Sequence, residues 1–299
     1  MVTRIERALL STVVTILAVG AAAPAFAQQY EGARLLGLAE AQRALTMAND
    51  SIYINPAGLA LGHMYSLELG YLDDIRGSDR RFNASVVDSQ AGPVAGGLAY
   101  TWTKRRPEFA PEPDDRLEGH RMEIALATRV AESAAIGLTA RYMTFNLHDE
   151  NGEQIEDGGF KIFTVDVGLQ WRIFDGLSIG LVGYNLTNSD EPEVPLGWGA
   201  GLGYQLGSFS IEGDVRYNAQ RGEPRYSGAI GYVLAEMVAL RAGVSYDYAT
   251  EGIAVSGGAG VFLDRFAIDD GYRQLVNADD VGEDSDQRIL GIALRALFL

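Results

Sequence analysis

Val238–Tyr248, VALRAGVSYDY, is the stretch whose reading decides the fold. Val238, Leu240, Ala242, Val244, Tyr246 and Tyr248 make one apolar row, and Ala239, Arg241, Gly243, Ser245 and Asp247 make a small, polar one. Successive side chains of a β-strand point to opposite faces, so the segment reads as a strand between an apolar surrounding and a polar one. Helical spacing at i, i+3 and i+4 does not fit it. Phe209–Asn218 repeats the pattern, with Phe209, Ile211, Gly213, Val215 and Tyr217 against Ser210, Glu212, Asp214, Arg216 and Asn218. In a third segment Phe163, Val165, Val167, Leu169, Trp171 and Ile173 oppose Thr164, Asp166, Gly168, Gln170 and Arg172.

Outward from these, fourteen such segments fall at 64–72, 81–88, 94–102, 120–130, 134–146, 159–173, 176–187, 196–206, 208–218, 225–234, 237–248, 252–264, 266–275 and 287–299. An even count is usual for a closed antiparallel bacterial barrel. In 266–275, Asp269, Asp270 and Arg273 interrupt the alternation. Proline cannot donate to a β-ladder, and none of the nine prolines falls inside a proposed strand. Very short turns such as 131–133, 174–175 and 235–236 alternate with longer links, 73–80, 103–119, 147–158, 188–195, 219–224 and 276–286. Outer-membrane barrels have short periplasmic turns and longer extracellular loops, which sets the orientation.

The aromatic residues separate this barrel from a soluble one. In the apolar phase, Tyr71, Tyr100, Trp102, Trp198, Tyr217, Tyr226 and Tyr246 lie beside the long links, and Tyr65, Trp171, Tyr204 and Tyr232 lie at the opposite strand ends. Two girdles on the apolar face mark a wall that meets lipid at both interfaces. The expected fold is therefore all-β: a 14-stranded antiparallel transmembrane β-barrel spanning 63–299.

Export fits this reading. Residues 1–27 carry Arg4 and Arg7, an apolar run from Ala8 to Ala22, and Ala25-Phe26-Ala27, the pattern of a secretory signal peptide. With no cysteine, disulfides, thiolate metal sites and cysteine nucleophiles are excluded. A net charge of −16 opposes nucleic-acid binding, which needs a basic surface. Loops 147–158, 188–195 and 276–286 hold thirteen Asp or Glu and no Lys or Arg, so most of the net charge is expected outside the cell, where solvation and colloidal repulsion account for it better than a specific cation site.

The polar phase describes the interior. Inward candidates are Glu68, Arg121, Glu123, Arg129, Arg141, Asp166, Arg172, Glu212, Asp214, Arg216, Arg241, Asp247 and Arg295, whose mixed signs imply pairing across the lumen. Gly197, Gly199, Gly201 and Gly203 form an inward row that leaves space beside the wall or permits close backbone approach by something inside. The segment 28–62 is the candidate occupant, a short helical N-terminal plug. It lacks strand alternation, and Gly37–Ala48 has helix-forming composition. It continues into Asn49-Asp50-Ser51-Ile52-Tyr53-Ile54-Asn55-Pro56-Ala57-Gly58-Leu59. Pro56 fixes φ and biases Asn55 towards an extended conformation, and Gly58 relaxes the chain before the wall begins.

A small-residue helix, then Asp50, Tyr53 and Asn55-Pro56-Ala57-Gly58 just before the first strand, resembles the FadL-like outer-membrane transporters, and more closely their short PorV/PorQ group. The resemblance implies a hatch built on Asp50, Tyr53, Asn55, Pro56, Ala57 and Gly58 inside a fourteen-stranded barrel. The chain departs from that pattern in its smaller loops and in ending on Leu299, one place after the aromatic Phe298.

No catalytic motif accompanies His63, His120 or His148. Asn277-x-Asp279-x-Val281-Gly282 lacks the acidic twelfth position of a calcium loop, and Gly199-x-Gly201-x-Gly203 is followed by no helix. No enzyme activity, cofactor or metal is expected. Two functions fit: admission of small hydrophobic molecules through the plugged lumen, or a non-transporting role as partner of secreted or surface-assembled proteins. Outer-membrane lipid is the expected surrounding in either case. The protein should fractionate with the outer membrane and run as a compact, heat-modifiable band on gels; recovery as a soluble periplasmic protein would overturn the barrel reading.

Overall fold

The structure, a computed structural model, describes residues 32–75, 79–106, 115–155, 158–187, 191, 193–220, 222–277 and 287–298. The expected signal peptide, residues 28–31 of the plug segment, Leu299 and parts of the long loops lie outside the described residues.

Fourteen antiparallel strands close into one barrel, each hydrogen-bonded to its chain neighbours, with the last strand returning to the first. They are β1 (Tyr65–Asp74), β2 (Arg80–Asp88), β3 (Val94–Arg105), β4 (Arg116–Ala131), β5 (Ala134–His148), β6 (Phe160–Phe174) and β7 (Leu177–Tyr184) in the first half. The second half is β8 (Gly197–Leu206), β9 (Phe209–Asn218), β10 (Glu223–Leu234), β11 (Val238–Asp247), β12 (Gly252–Leu263), β13 (Phe266–Asn277) and β14 (Arg288–Phe298). Every proposed segment is a strand, with boundaries shifted by a few residues.

Two departures have physical reasons. Pro224, placed in a connection by sequence, is the second residue of β10, opposite Tyr217. A proline without an N–H is tolerated so close to a strand start, and its carbonyl still accepts from Tyr248 at 3.1 Å. Strand β7 stops at Tyr184 rather than 187 because Asn185 takes a left-handed φ of 54° and its N–H turns to the Asp166 carboxylate at 2.8 Å.

The alternation holds around the wall. Leu69, Ile124, Phe163 and Leu294 face outward at half exposure, while Asn83, Thr101, Thr139 and Thr164 of the opposite phase are fully buried. The charges in β13 belong to this pattern. Asp269 and Arg273 point inward and are buried, and only Asp270 faces out, where it accepts the Ala259 N–H at 2.8 Å. A continuous apolar exterior with all ladders closed is what a hydrocarbon surrounding demands, since unpaired backbone groups there have no water to bond.

Residues 32–64 lie inside the ring. Helix α1 (Ala33–Gly37) packs on β11 to β14 and β1, and the 3-10 turn Ala48–Ile52 packs on β1 to β4. A second 3-10 turn, Pro56–Ala60, packs on β3 to β6. The helix is therefore earlier than the expected 37–48. Ala39 and Glu40 adopt positive φ, 50° and 62°, which ends it. Leu35, Ile52, Tyr53, Ile54 and Leu59 of this segment fill a core whose wall side is mostly alanine, including Ala95, Ala99, Ala125, Ala127 and Ala135.

A charge at the middle of the outward face tests the lipid boundary. Ile124→Arg should destabilise the protein by about 2–4 kcal/mol, and His120→Arg, nearer the loops, by about 0–1 kcal/mol. Urea unfolding from phospholipid vesicles measures both, and equal costs at the two positions would contradict the depth assignment.

Candidate functional site in the barrel lumen

The N-terminal segment is held at three places. The first is a notch in the wall. Gly137 of β5 and Gly168 of β6 are register partners, and their missing side chains make room for Asn55-Pro56-Ala57. A Cβ on Gly137 would lie 2.6 Å from the Ala57 nitrogen, and one on Gly168 would lie 2.9 Å from Pro56 Cδ. Asn55 fixes the turn: its Oδ1 accepts from Ala57 N at 3.2 Å, and its Nδ2 donates to the carbonyls of Arg43 (2.8 Å) and Leu169 (3.1 Å). Pro56 occupies the first turn of the 3-10 helix, where its absent N–H costs nothing. Gly58 plays another part than expected. Its φ is ordinary, and it is needed for space: a Cβ there would lie 2.6 Å from the Thr46 carbonyl oxygen.

The second place is a pair of wall carboxylates. Asp214 Oδ2 accepts the N–H groups of Gln42 and Arg43, each at 3.0 Å. Glu212 accepts those of Ala44 at 2.5 Å and Leu45 at 3.2 Å. Four successive backbone donors thus bond to the wall instead of to a helix, which explains why 38–47 is a run of turns. Gln170 Nε2 donates to the Ala44 carbonyl at 2.7 Å, completing the hold. Arg43 pairs with Asp214 at 2.8 Å, and its stem lies along the glycine row of β8. Gly199 and Gly201 face Arg43, and Gly203 faces Leu45, so three of the four row glycines meet the segment. Gly197 instead abuts the Tyr217 carbonyl.

The third place is a charge cluster around α1. Arg34 reaches Asp50 at 2.7 Å, Glu68 at 3.2 Å and Asp269 at 3.7 Å. Asp269 also pairs with Arg241 and Arg295, each at 2.7 Å. Burial opposes the charge on Arg34, yet the Asp50, Glu68 and Asp269 carboxylates outweigh it and hold the guanidinium above its ordinary range.

Between these anchors, on the loop side of the segment, lies a cavity lined by Arg43, Tyr53, Arg121, Arg141, Tyr184 and Arg216, with Glu40, Ile54 and Asn185 completing it. Its volume is small, about 40 Å³. Most of its charge is already paired along the wall. Glu123 takes Arg121 at 3.3 Å and Arg141 at 2.6 Å, and Arg141 also takes Asp166 at 2.9 Å. Tyr184 accepts from Arg43 Nε and donates to the Ile54 carbonyl, both at 2.9 Å. Arg216 differs. Its guanidinium stands over the Tyr184 ring at 5.3 Å and makes no hydrogen bond or ion pair among the described residues.

The interior candidates are mostly placed where the alternation put them. Glu68, Arg121, Glu123, Arg141, Asp166, Glu212, Asp214, Asp247 and Arg295 are buried, and Arg216 and Arg241 are half-buried. Arg172 is not in the interior: β6 shifts register beside it, and it is exposed at the short-turn rim. Arg129 is exposed at the same end, where it donates to the Ala60 carbonyl at 2.9 Å. Of the motif residues, Asp50 and Asn55 are buried in the contacts above, and Tyr53 forms part of the cavity wall, with Arg121 6.0 Å from its ring. Arg34, Arg43, Tyr184, Asn185 and Asp269 escaped the sequence reading as site residues. Asp269 was legible from its phase, and Arg34 and Arg43 from being isolated charges among small apolar residues.

No protein-family model matches the chain, and no curated protein matches it. Solved structures do. The CymD monoaromatic hydrocarbon channel superposes with a TM-score of 0.68 at 14% identity, over 92% of this chain and 99% of that one. The Pseudomonas putida toluene transporter TodX gives 0.66 at 13% identity, over 92% and 98%. A Pseudomonas aeruginosa FadL homologue gives 0.60 at 13%, over 91% and 99%. The fold is FadL-like. At such identities the likeness is one of fold alone.

The notch can be tested by filling it. Gly137→Val should cost about 1–3 kcal/mol by overpacking against Ala57. Gly213→Val, where nothing lies within 4 Å of the added Cβ, should leave the denaturation midpoint in detergent nearly unchanged. Equal behaviour of the two variants would show that the segment does not press on the wall.

Proposed function

We propose that this protein is an outer-membrane channel for small hydrophobic molecules, with residues 28–62 acting as its plug and hatch. The observation that carries the reading is the N-terminal segment seated across the lumen, with a cavity on its loop side. The fold shared with hydrocarbon and toluene channels supports it. Tyr53, Ile54 and Tyr184 offer apolar surface in the cavity, and Arg216 offers a single uncommitted cation. The substrate best accommodated is an apolar body with one polar or negatively charged group. The PorV/PorQ likeness rests on the hatch motif alone, and the partner role it implies serves as the competing outcome below.

Deleting 28–62 should open a conducting pore, because fourteen strands enclose more space than side chains fill; about eight strands is the size they can fill. Planar-bilayer recordings would show this as a step from closed to open traces. A closed trace from the deletion, with loss of a co-purifying protein, would replace the plug by a docking arm. In uptake assays Arg216→Ala should reduce entry of an aromatic carboxylate by about tenfold, the scale of one charged hydrogen bond, and leave the parent hydrocarbon unaffected. Equal effects on both would remove Arg216 from recognition.

A further inference from the structure

The chain has only two lysines, Lys104 and Lys161, in a protein of net charge −16. Both face outward near the loop ends of their strands, Lys104 on β3 and Lys161 on β6. Arg80 of β2 stands directly opposite Lys104 in the ladder, and Arg116 of β4 lies on the same outer surface, opposite His148. The side chains of Arg80 and Lys104 are 60% and 41% exposed. Lys161 is exposed and makes no hydrogen bond or ion pair among the described residues. Among the described residues two acids share the patch: Asp73 is 3.2 Å from Arg80, and Glu118 is 3.7 Å from Lys104. Exposed pairs of this kind are weak and exchange readily for another anion.

The patch is one-sided. Among the described residues, the outward positions of β7 to β12 in their loop-side halves carry no Lys or Arg and present Trp198, Tyr217, Tyr226 and Tyr246 instead. Directly below the basic residues, towards the middle of the wall, lie Phe82, Trp102, Met122, Tyr142 and Phe163. Cations above an aromatic and aliphatic belt match the two ends of a phosphorylated lipid, with head group at the rim and chains along the wall.

We propose that the outer loop-side face of β2 to β6 binds the phosphorylated head group of a lipid in the facing leaflet, with Lys104 and Lys161 as its principal cations. A free phosphate would need neither the belt nor the outward setting. Three strand spacings separate the two lysines laterally, about 14 Å, so a head group with two phosphates bridges them better than one with a single phosphate. The proposal rests on the outer-membrane reading of the barrel, and its test requires only a folded barrel in detergent.

Native mass spectrometry of the full chain in micelles, titrated with diphosphoryl lipid A, its monophosphoryl form and phosphatidylcholine, reads out retention. The diphosphoryl lipid should be retained most strongly, and Lys104→Gln with Lys161→Gln should weaken it on the order of 30-fold. Arg265→Gln, a charge removed at the short-turn rim, should change nothing. Heat-modifiable mobility of each variant confirms the barrel independently. Unchanged retention in the double variant, equal loss in Arg265→Gln, equal retention of the mono- and diphosphoryl lipids, or displacement by millimolar inorganic phosphate would each overturn the proposal.

Discussion

The lumen of fourteen strands is too wide for side chains of the wall to fill, and the rest of the structure answers to that excess volume. An empty interior would leave the inward phase to water; a filled one requires an internal element and a wall shaped to receive it. The chain takes the second course. Many of its inward positions are small where residues 32–64 approach: alanine along β3 to β5, glycine at Gly137, Gly168, Gly199, Gly201 and Gly203. In the core around Ile52 and Leu59 most of the large apolar side chains come from the segment itself, so there bulk is supplied mainly from inside and space from the wall.

Charge inside the barrel follows a different rule. Burying an unpaired ion is costly, whereas a pair with its remaining hydrogen bonds satisfied is tolerated. On β4 to β6 the ions pair within β4, Arg121 to Glu123, and between neighbouring strands, Glu123 to Arg141 to Asp166, and so belong to the wall. On β9 and β13 they pair with the segment, through Asp214 to Arg43 and Asp269 to Arg34. Arg216, with only the Tyr184 ring beneath it, stands outside both schemes, and it faces the cavity. A cation with no hydrogen bond or ion pair among the described residues thus lines the cavity of the proposed passage.

The wall was legible because a period of two is a strong signal when one side is apolar and the other polar. Even Asp269 and Arg273, which break the hydrophobic pattern of β13, keep its phase and point inward. The glycine row of β8 announced an internal neighbour without naming it. The conformation of residues 38–47 was not legible, because their helix-forming composition competes with four wall hydrogen bonds from Glu212 and Asp214, strands that lie more than 160 residues away. A propensity of a few tenths of a kcal/mol per residue does not withstand such charge-assisted bonds. Asn185 was hidden for the same reason, since its left-handed turn depends on Asp166 and on the Pro195 carbonyl across a loop.

The two modes of attachment divide the labour of holding the segment. Around the Gly137 and Gly168 notch the contact is sterically close, with Asn55 bonded to the Leu169 carbonyl, and it is backed by the apolar packing of Leu59, Ile52 and the alanines of the wall. Such packing grows with buried area and is not directional. At β9 and β13 the contacts are ionic and hydrogen-bonded, and buried ion pairs of this kind contribute little net stability once desolvation is counted. What they do contribute is geometry: four backbone donors meeting two carboxylates fix the path of residues 42–45 in one register. The affinity of the segment for the lumen therefore comes mainly from the β3 to β6 side, and its orientation from the carboxylates opposite. The cavity lies between the two, lined by Tyr53 and Ile54 from the packed side and by Arg43 and Arg216 from the ionic side. Its amphipathic lining is the direct consequence of where the two kinds of anchor meet.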